Sequence, residues 1–404
     1  MKKFFFFAAL AAVLTTACNK NGSFTGIPDR TAEVSFSLST AALGTRAAPV
    51  EADEVRVNTV DAFVFNETGD LDAYGHFTGE DFTTDATTQV TSLKDGKKLS
   101  CTTGSGKKIW IVINGNDANV TNGYSGGVTT EASLKSQVFL LTQNARTTGN
   151  TLTLDNFQMI GSATAALHPG DNTVSVEVSR PVARVWIKKI TKDFTSPAQA
   201  GALTVKNIYM SNVVGSCLYD GTTRIGVNDL WLNKYDNGAA GPSVAIDQEG
   251  NPWLNRGLSP AVSIAEGASK TTEIESTFYV MPNNVPWGTG TPAVFGPTGG
   301  AAWSPRHTRL VIETEYAGTT YYYGIPIADN GTKGYPIGKD GDDGSTYSGL
   351  NANYSYEIDE LVLTRLGSTS PDEPVIPSMV NFSITVAGWT TKLLTAGDAQ
   401  KYVI

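Results

Sequence analysis

Residues 31–40, TAEVSFSLST, alternate strictly: Ala32, Val34, Phe36 and Leu38 fall on one face, Thr31, Glu33, Ser35 and Ser37 on the other. A period of two sends every second side chain to the same side of an extended chain, so the segment predicts a strand with one buried face. Such a strand is not stable alone, because its apolar face needs a second layer and its edges need partners. The same style predicts strands at residues 55–66, 108–114, 151–154, 173–178 and 183–190. It continues at 203–212, 273–280, 308–316, 319–327 and 354–364, with Gly, Asn and Asp turns between. A last alternating segment, residues 379–388, carries Val380, Phe382, Ile384 and Val386 on one face and Asn381, Ser383 and Thr385 on the other. Only residues 131–141, EASLKSQVFLL, read as helix, with Leu134, Val138 and Leu141 on one stripe. The fold class is therefore all-β with very little helix.

At 404 residues the chain exceeds what one core serves. The strand pattern breaks into Thr, Ser, Pro, Ala and Gly around residues 192–202, which predicts an N-terminal β-sandwich domain over 47–191 and a C-terminal one over 192–404.

The chain opens with Lys2 and Lys3, an apolar stretch over residues 4–14 too short to span a bilayer, and Thr15-Thr16-Ala17-Cys18. This is the pattern of a cleaved export signal over residues 1–18, and LTTAC resembles a bacterial lipobox with Cys18 as the acylated residue. Two or three acyl chains hold a protein on a membrane without a transmembrane helix. Residues 19–46 then form a propeptide that contains the alternating strand. It ends in small residues around Arg46-Ala47 with Pro49 beyond, a predicted exposed loop of the kind proteases cut.

A net charge of -9 argues against nucleic acid, whose phosphates need a basic surface. Cys101 and Cys217 are too few for a disulfide framework and are expected to be buried and unpaired. No catalytic constellation, cofactor motif or metal cluster is present in the sequence, so the chain does not read as an enzyme. His76, His168 and His307 are scattered and read as ordinary surface or loop residues. Residues 104–108, GSGKK, lack the rest of a phosphate loop and read as a turn. Residues 340–344, DGDDG, lack the Glu that an EF-hand needs and read as a solvated loop. Trp231, Trp253, Trp287, Trp303 and tyrosines 321–323 suggest an alternative, a tip adhesin or glycan-binding surface lipoprotein; the competing reading places these aromatics in the core.

Several stretches taken in order resemble the FimA-type fimbrillin family of the Bacteroidales, the major fimbrial subunits. They are the lipobox at Cys18, the strand ending at Arg46-Ala47, KKIWIVIN at residues 107–114 and RPVAR at 180–184. PWLNRG at 252–257, TFYVMPN at 277–283, NYSYEIDELVLTRLG at 353–367 and the closing Val386-Ala387-Gly388-Trp389 complete the set. The resemblance implies two transthyretin-like β-sandwich domains with Greek-key-type connections. It also implies a precursor anchored in the outer membrane through lipid such as palmitate on Cys18, and cleavage by an arginine-specific protease. Arg46 matches the cleavage position, with Ala47 as the new N-terminus; a cut at Arg30 would leave the strand in place. Removal of Ala32, Val34, Phe36 and Leu38 with their strand would open a groove that a strand from the next subunit fills. The donor candidates are residues 379–388, through Val380, Phe382, Ile384 and Val386, and the tail 389–404 beginning at Trp389, which departs from the family pattern. A head-to-tail contact that does not close on itself builds a filament. The implied partners are other copies of the chain, accessory fimbrial subunits and a host or bacterial surface receptor, and the implied role is adhesion and biofilm formation from a cell-surface fimbria.

Overall fold

The structure is a computed structural model and describes residues 31–40, 54, 56–85, 90–115, 128–141, 146–148, 151–153, 157–226, 229–233, 235–236, 243–244, 255–267, 269–284, 307–327, 350–371, 379–382 and 384–388. Nine strands make one sheet: β1 (Thr31–Thr40), β2 (Thr59–Phe65), β3 (Leu71–Thr78), β4 (Phe82–Thr84), β5 (Thr91–Leu93), β6 (Leu99–Thr102), β7 (Gly104–Ile113), β8 (Met159–Leu167) and β9 (Gly170–Ser179). Their spatial order is β3-β2-β7-β8-β9-β1-β5-β4, with β6 also beside β1. The sheet curls until remote strands meet: Thr102 of β6 donates its N–H and its hydroxyl to Asp72 of β3, both at 2.9 Å. Lys107 of β7, itself buried, donates to the same Asp72 carboxylate at 2.8 Å and to the Thr102 hydroxyl at 2.7 Å. One core fills the curl, with Val34, Phe36 and Leu38 meeting Val64, Ile111 and Val176. From the opposite face of β2 and β7, Phe63, Phe65, Trp110 and Val112 enter a second core. Burial on both faces explains why these two strands read as continuous apolar runs.

The second half contains β10 (Ala183–Asp193), β11 (Leu203–Ser211), β12 (Asn255–Ile264), β13 (Ser269–Val280), β14 (Arg309–Tyr316), β15 (Thr319–Pro326), β16 (Tyr354–Ile358), β17 (Leu361–Leu363), β18 (Val380–Asn381) and β19 (Thr385–Gly388). In one sheet β10 is central, antiparallel to β13 and parallel to β16 and β17, which follow one another along its other edge. The other sheet runs β12-β11-β14-β15. Val185, Ile187, Phe278 and Tyr356 from the first pack with Val205, Ile208, Leu310 and Ile312 from the second in the second core.

Four local expectations differ from the structure. The helix expected over residues 131–141 stops after one turn, Glu131–Lys135, because residues 138–140 pair instead with residues 216–218; Leu134 and Leu141 are buried but Val138 is exposed. Residues 104–108 are not a turn: they open β7, where Gly104 pairs with Leu167. Residues 183–190, assigned from sequence to the first half, lie in β10 at the centre of the second half's sheet. The polar stretch near residue 192 only connects β10 to β11. β3, β8 and β12 carry no strand signal that the sequence reading used. In β8, MIGSATAAL, the period is hidden because the alternating residues are nearly all small.

Candidate functional site

β1 lies in a slot with a neighbour along each edge. Residues 32–40 run parallel to residues 170–178 of β9. On the other side residues 31–34 run antiparallel to residues 99–102 of β6, and Ser37 and Leu38 oppose Ser92 and Thr91 of β5. The alternation read from the sequence is realised in full: Ala32, Val34, Phe36 and Leu38 have no exposed surface. Phe36 meets Phe77 edge-on with ring centroids 6.4 Å apart, and Phe77 meets Phe82 likewise at 6.2 Å. On the outward face the Ser100 hydroxyl donates to Glu33 at 2.6 Å, and the Ser35 hydroxyl donates to the Asn172 carbonyl at 3.3 Å.

The inward row dominates the energetics. Full burial of Val34, Phe36 and Leu38 contributes about 1.5–3 kcal/mol each, whereas a net hydrogen bond contributes about 0.5–1.5 kcal/mol. Loss of the strand would leave backbone groups of β9, β5 and β6 without partners and open the apolar slot to water, and such an edge recruits another strand. Cys101 stands opposite Ala32 in the β1–β6 register and is therefore flanked by β1. Both Cys101 and Cys217 are free and buried, as expected; burial pushes their thiols up to about 11 and about 12.

The chain that follows the slot is tied down independently of β1. Asn114 ends β7 in a left-handed conformation, φ 51°. Its side-chain carbonyl accepts from the N–H groups of Asn58 (2.8 Å) and Thr59 (3.2 Å), and its amide donates to the carbonyls of Arg56 (2.6 Å) and Phe157 (3.0 Å). Glu54 is fully buried: Tyr279 donates its hydroxyl to one carboxylate oxygen, and Arg184 lies 3.4 Å from the other. The Glu54 carbonyl accepts from Arg180 at 3.3 and 3.1 Å. Burial lowers the Arg180 guanidinium to about 10, while the Glu54 charge opposes that shift. Arg184 also donates to the Ser355 hydroxyl at 3.0 Å. A charge buried this deeply is tolerated only with such partners. Sequence reading missed Glu54, for which the local sequence carries no signal.

The terminal alternating segment is held differently. Among the described residues β18 pairs only with β17 and β19 only with β16, so both lie along one edge of their sheet. Val380 and Ile384 are buried there, Phe382 is half-buried, and Val386 pairs with Tyr356. Cys18, Arg46, Ala47 and Trp389 lie outside the described residues, as do Trp253, Trp287, Trp303 and residues 340–344.

Of the remaining singled-out residues, Trp231 is core and donates its ring N–H to the Gly226 carbonyl at 3.0 Å. Tyr323 is fully buried with its hydroxyl on the Arg365 carbonyl at 2.9 Å, and Tyr321 and Tyr322 are half-buried. His168 is an exposed loop residue as expected. His76 is a surface residue as expected, on β3 with its Nδ1 2.8 Å from the buried Asp61 carboxylate. His307 departs from expectation, being buried just ahead of β14. Among the described residues no cluster of His, Cys, Asp or Glu could hold a metal ion.

Residues 32–180 match the family model of the major fimbrial subunit protein, FimA. The matched span covers β1 to β9, the whole curled sheet. No curated protein matches the chain. Solved structures match over nearly its full length. A fimbrilin (FimA) from Porphyromonas gingivalis aligns with a TM-score of 0.56 at 14% identity, covering 89% of this chain and 98% of that one. Two proteins assigned to cell adhesion align comparably. The one from Bacteroides eggerthii gives 0.55 at 17% identity, covering 91% and 98%; one from Parabacteroides distasonis gives 0.56 at 16%, covering 89% and 100%. At these identities the structural likeness speaks to the fold alone.

The resemblance to FimA-type fimbrial subunits drawn from the sequence is matched by the family model over residues 32–180, and the solved structures share a mostly β fold with the chain.

Proposed function

We propose that this chain, which carries the FimA family's signature over residues 32–180, is a stalk subunit of a bacterial fimbria that polymerises by strand exchange. Its fold is a pair of transthyretin-like β-sandwich domains with Greek-key-type connections. The precursor is held in the outer membrane through lipid on Cys18, an arginine-specific protease cuts after Arg46, and β1 leaves. The slot then takes a C-terminal strand of the next subunit, from residues 379–388 or from the tail 389–404.

The observation that carries this reading is the placing of the strand ahead of Arg46. It is an interior strand of the sheet, laddered on both edges with four inward side chains fully buried. A segment so placed cannot be lost without a replacement. The ties of residues 54–59 to Asn114, Arg180 and Arg184 complement it, since a chain cut before residue 54 keeps them. The burial of Trp231 and Tyr323 favours the stalk over a glycan-binding tip, because neither ring is available as a platform.

Cys101 supplies the test. A thiol reagent should spare Cys101 in the precursor, label it in the processed monomer, and spare it again in filaments, while Cys217 stays protected throughout. Equal labelling of Cys101 before and after processing would show that β1 does not leave, and the reading would fall.

A further inference from the structure

Resting on that strand-exchange reading, we infer that Asp72, Lys107 and Thr102 are positioning residues for the exchange. They hold β6, one wall of the slot, in place while the slot is empty.

Of the three walls, β6 has most at stake when β1 leaves. β9 also pairs with β8, and β5 with β4, so those walls keep backbone pairing that involves no residue of β1. β6 loses the ladder of residues 99–102 with residues 31–34, and with it the bond from the Ser100 hydroxyl to Glu33. Its ties to β3 and β7, by contrast, run through side chains and contain nothing of β1.

Those ties form one polar knot. A single oxygen of Asp72, Oδ2, accepts from the Thr102 N–H and hydroxyl at 2.9 Å each and from the Lys107 ammonium at 2.8 Å. Lys107 donates as well to the Thr102 hydroxyl at 2.7 Å. It continues the inward row of Ile109 and Ile111 on β7, so its chain runs along the core and its ammonium crosses to the far side of the curl. Burial pushes the Asp72 carboxyl up, but the bonds from Lys107 and Thr102 outweigh it and hold the group below the ordinary carboxylate range. The knot is therefore an ion pair at neutral pH, and charged hydrogen bonds are stronger than neutral ones. Further along the same two strands, Gly75 of β3 has no side chain to hold β6 off: a β-carbon there would lie 3.2 Å from a Leu99 methyl.

In the precursor the knot is backed by the β1 ladder. In the empty slot it acts without that ladder, and a wall already in place spares the incoming strand the cost of ordering it. A pair that served stability alone would weaken both states alike.

The test compares the full-length precursor with the same chain after cleavage by an arginine-specific protease. Asp72→Ala with Lys107→Met removes both charges together and leaves neither buried without its partner. Thr102→Val is a milder second variant, and Lys206→Met with Glu315→Ala, an exposed ion pair of the other half, is the control. A nitroxide on Ser100→Cys, in a Cys101→Ser background, reads the order of β6 by its spectrum. With the knot intact β6 should stay ordered before and after processing; without Asp72 and Lys107 it should be ordered only before. Filament growth of the same double variant should fall by about tenfold or more, because only slots with β6 in place can take a strand. Thr102→Val should move both readouts the same way by less, and it decides the matter if melting shows that the double-variant precursor does not fold.

A knot variant that folds and grows filaments like the control overturns the inference, as does an intact knot whose β6 turns mobile on processing. If the fragment ending at Arg46 stays bound to the processed chain, the strand-exchange reading falls, and this inference with it.

Discussion

Phe36 and Phe382 occupy the same place in the same six-residue pattern, yet one is sealed and the other half-open to water. β1 is laddered on both edges and its inward row is shut inside a curled sheet; β18 and β19 pair along one edge alone among the described residues. The pattern alone states that a strand has an apolar face. How firmly the strand is kept depends on its neighbours. A strand with two ladders and a closed core does not depart while it remains tethered, so its removal calls for a covalent cut. An edge strand with a half-buried aromatic gives up less on leaving. Under the strand-exchange proposal the pair divides into a segment to be replaced and a segment to replace it.

The largest expected effect comes from deleting one side of the comparison. A chain ending at Pro377 keeps the slot and the ties of residues 54–59 but loses Val380, Phe382 and Ile384. Once processed it should accept a donor and offer none: alone it should build no filaments, and mixed with intact subunits it should shorten them with dose, as seen by electron microscopy. Long filaments from truncated chains that melt like wild type would end the division of roles. Next in size is truncation of the two rings. In the precursor Phe36→Ala should cost about 3–5 kcal/mol in urea unfolding, as for other sealed core aromatics, and Phe382→Ala about 1–2 kcal/mol, as for partly exposed ones. After processing the order should invert, because residue 36 has left with its strand while residue 382 now carries the joint. Equal losses in the precursor would mean that the two strands are held alike.

The sequence made β1, β7 and the terminal strand legible because alternation and long apolar runs are local signals. β8 escaped because Gly, Ser, Thr and Ala give no contrast between its faces, although Met159 and Leu167 at its ends are buried. Val138 continued a helical stripe on paper but pairs in a ladder with Leu218, a tertiary preference that no window of eleven residues contains. Glu54 was illegible for a stronger reason. Its partners Arg180, Arg184 and Tyr279 lie more than a hundred residues away, and only the fold singles that acid out.

The smallest expected effect contrasts the halves that hold the two strands, through one buried titratable group in each. Asp61, on β2 in the half that holds β1, is raised by burial, although the hydroxyl of Tyr74 and the ring of His76 on its carboxylate pull it down. Its contribution is present below the ordinary carboxylate value and fades as pH rises, so mild acid takes nothing from it. His307, just ahead of β14 in the other half, is pushed down to about 3 by burial, with Arg309 adding to the shift. Folding disfavours its protonation, so its contribution is complete above about pH 6.5 and is lost as pH falls toward 3. At pH 5 the gap from the unfolded value is about 1.5 units, which at about 1.4 kcal/mol per unit predicts a loss of about 2 kcal/mol relative to neutral pH. Urea unfolding of wild type and His307→Gln at both pH values should show that loss in the first and not in the second. Hydrogen exchange in wild type at the lower pH should speed up in β14 and β15 while β1 keeps its protection. Faster exchange in β1, or an undiminished loss in His307→Gln, would mean that acid loosens the slot itself, and the contrast between a sealed first half and a yielding second half would not survive.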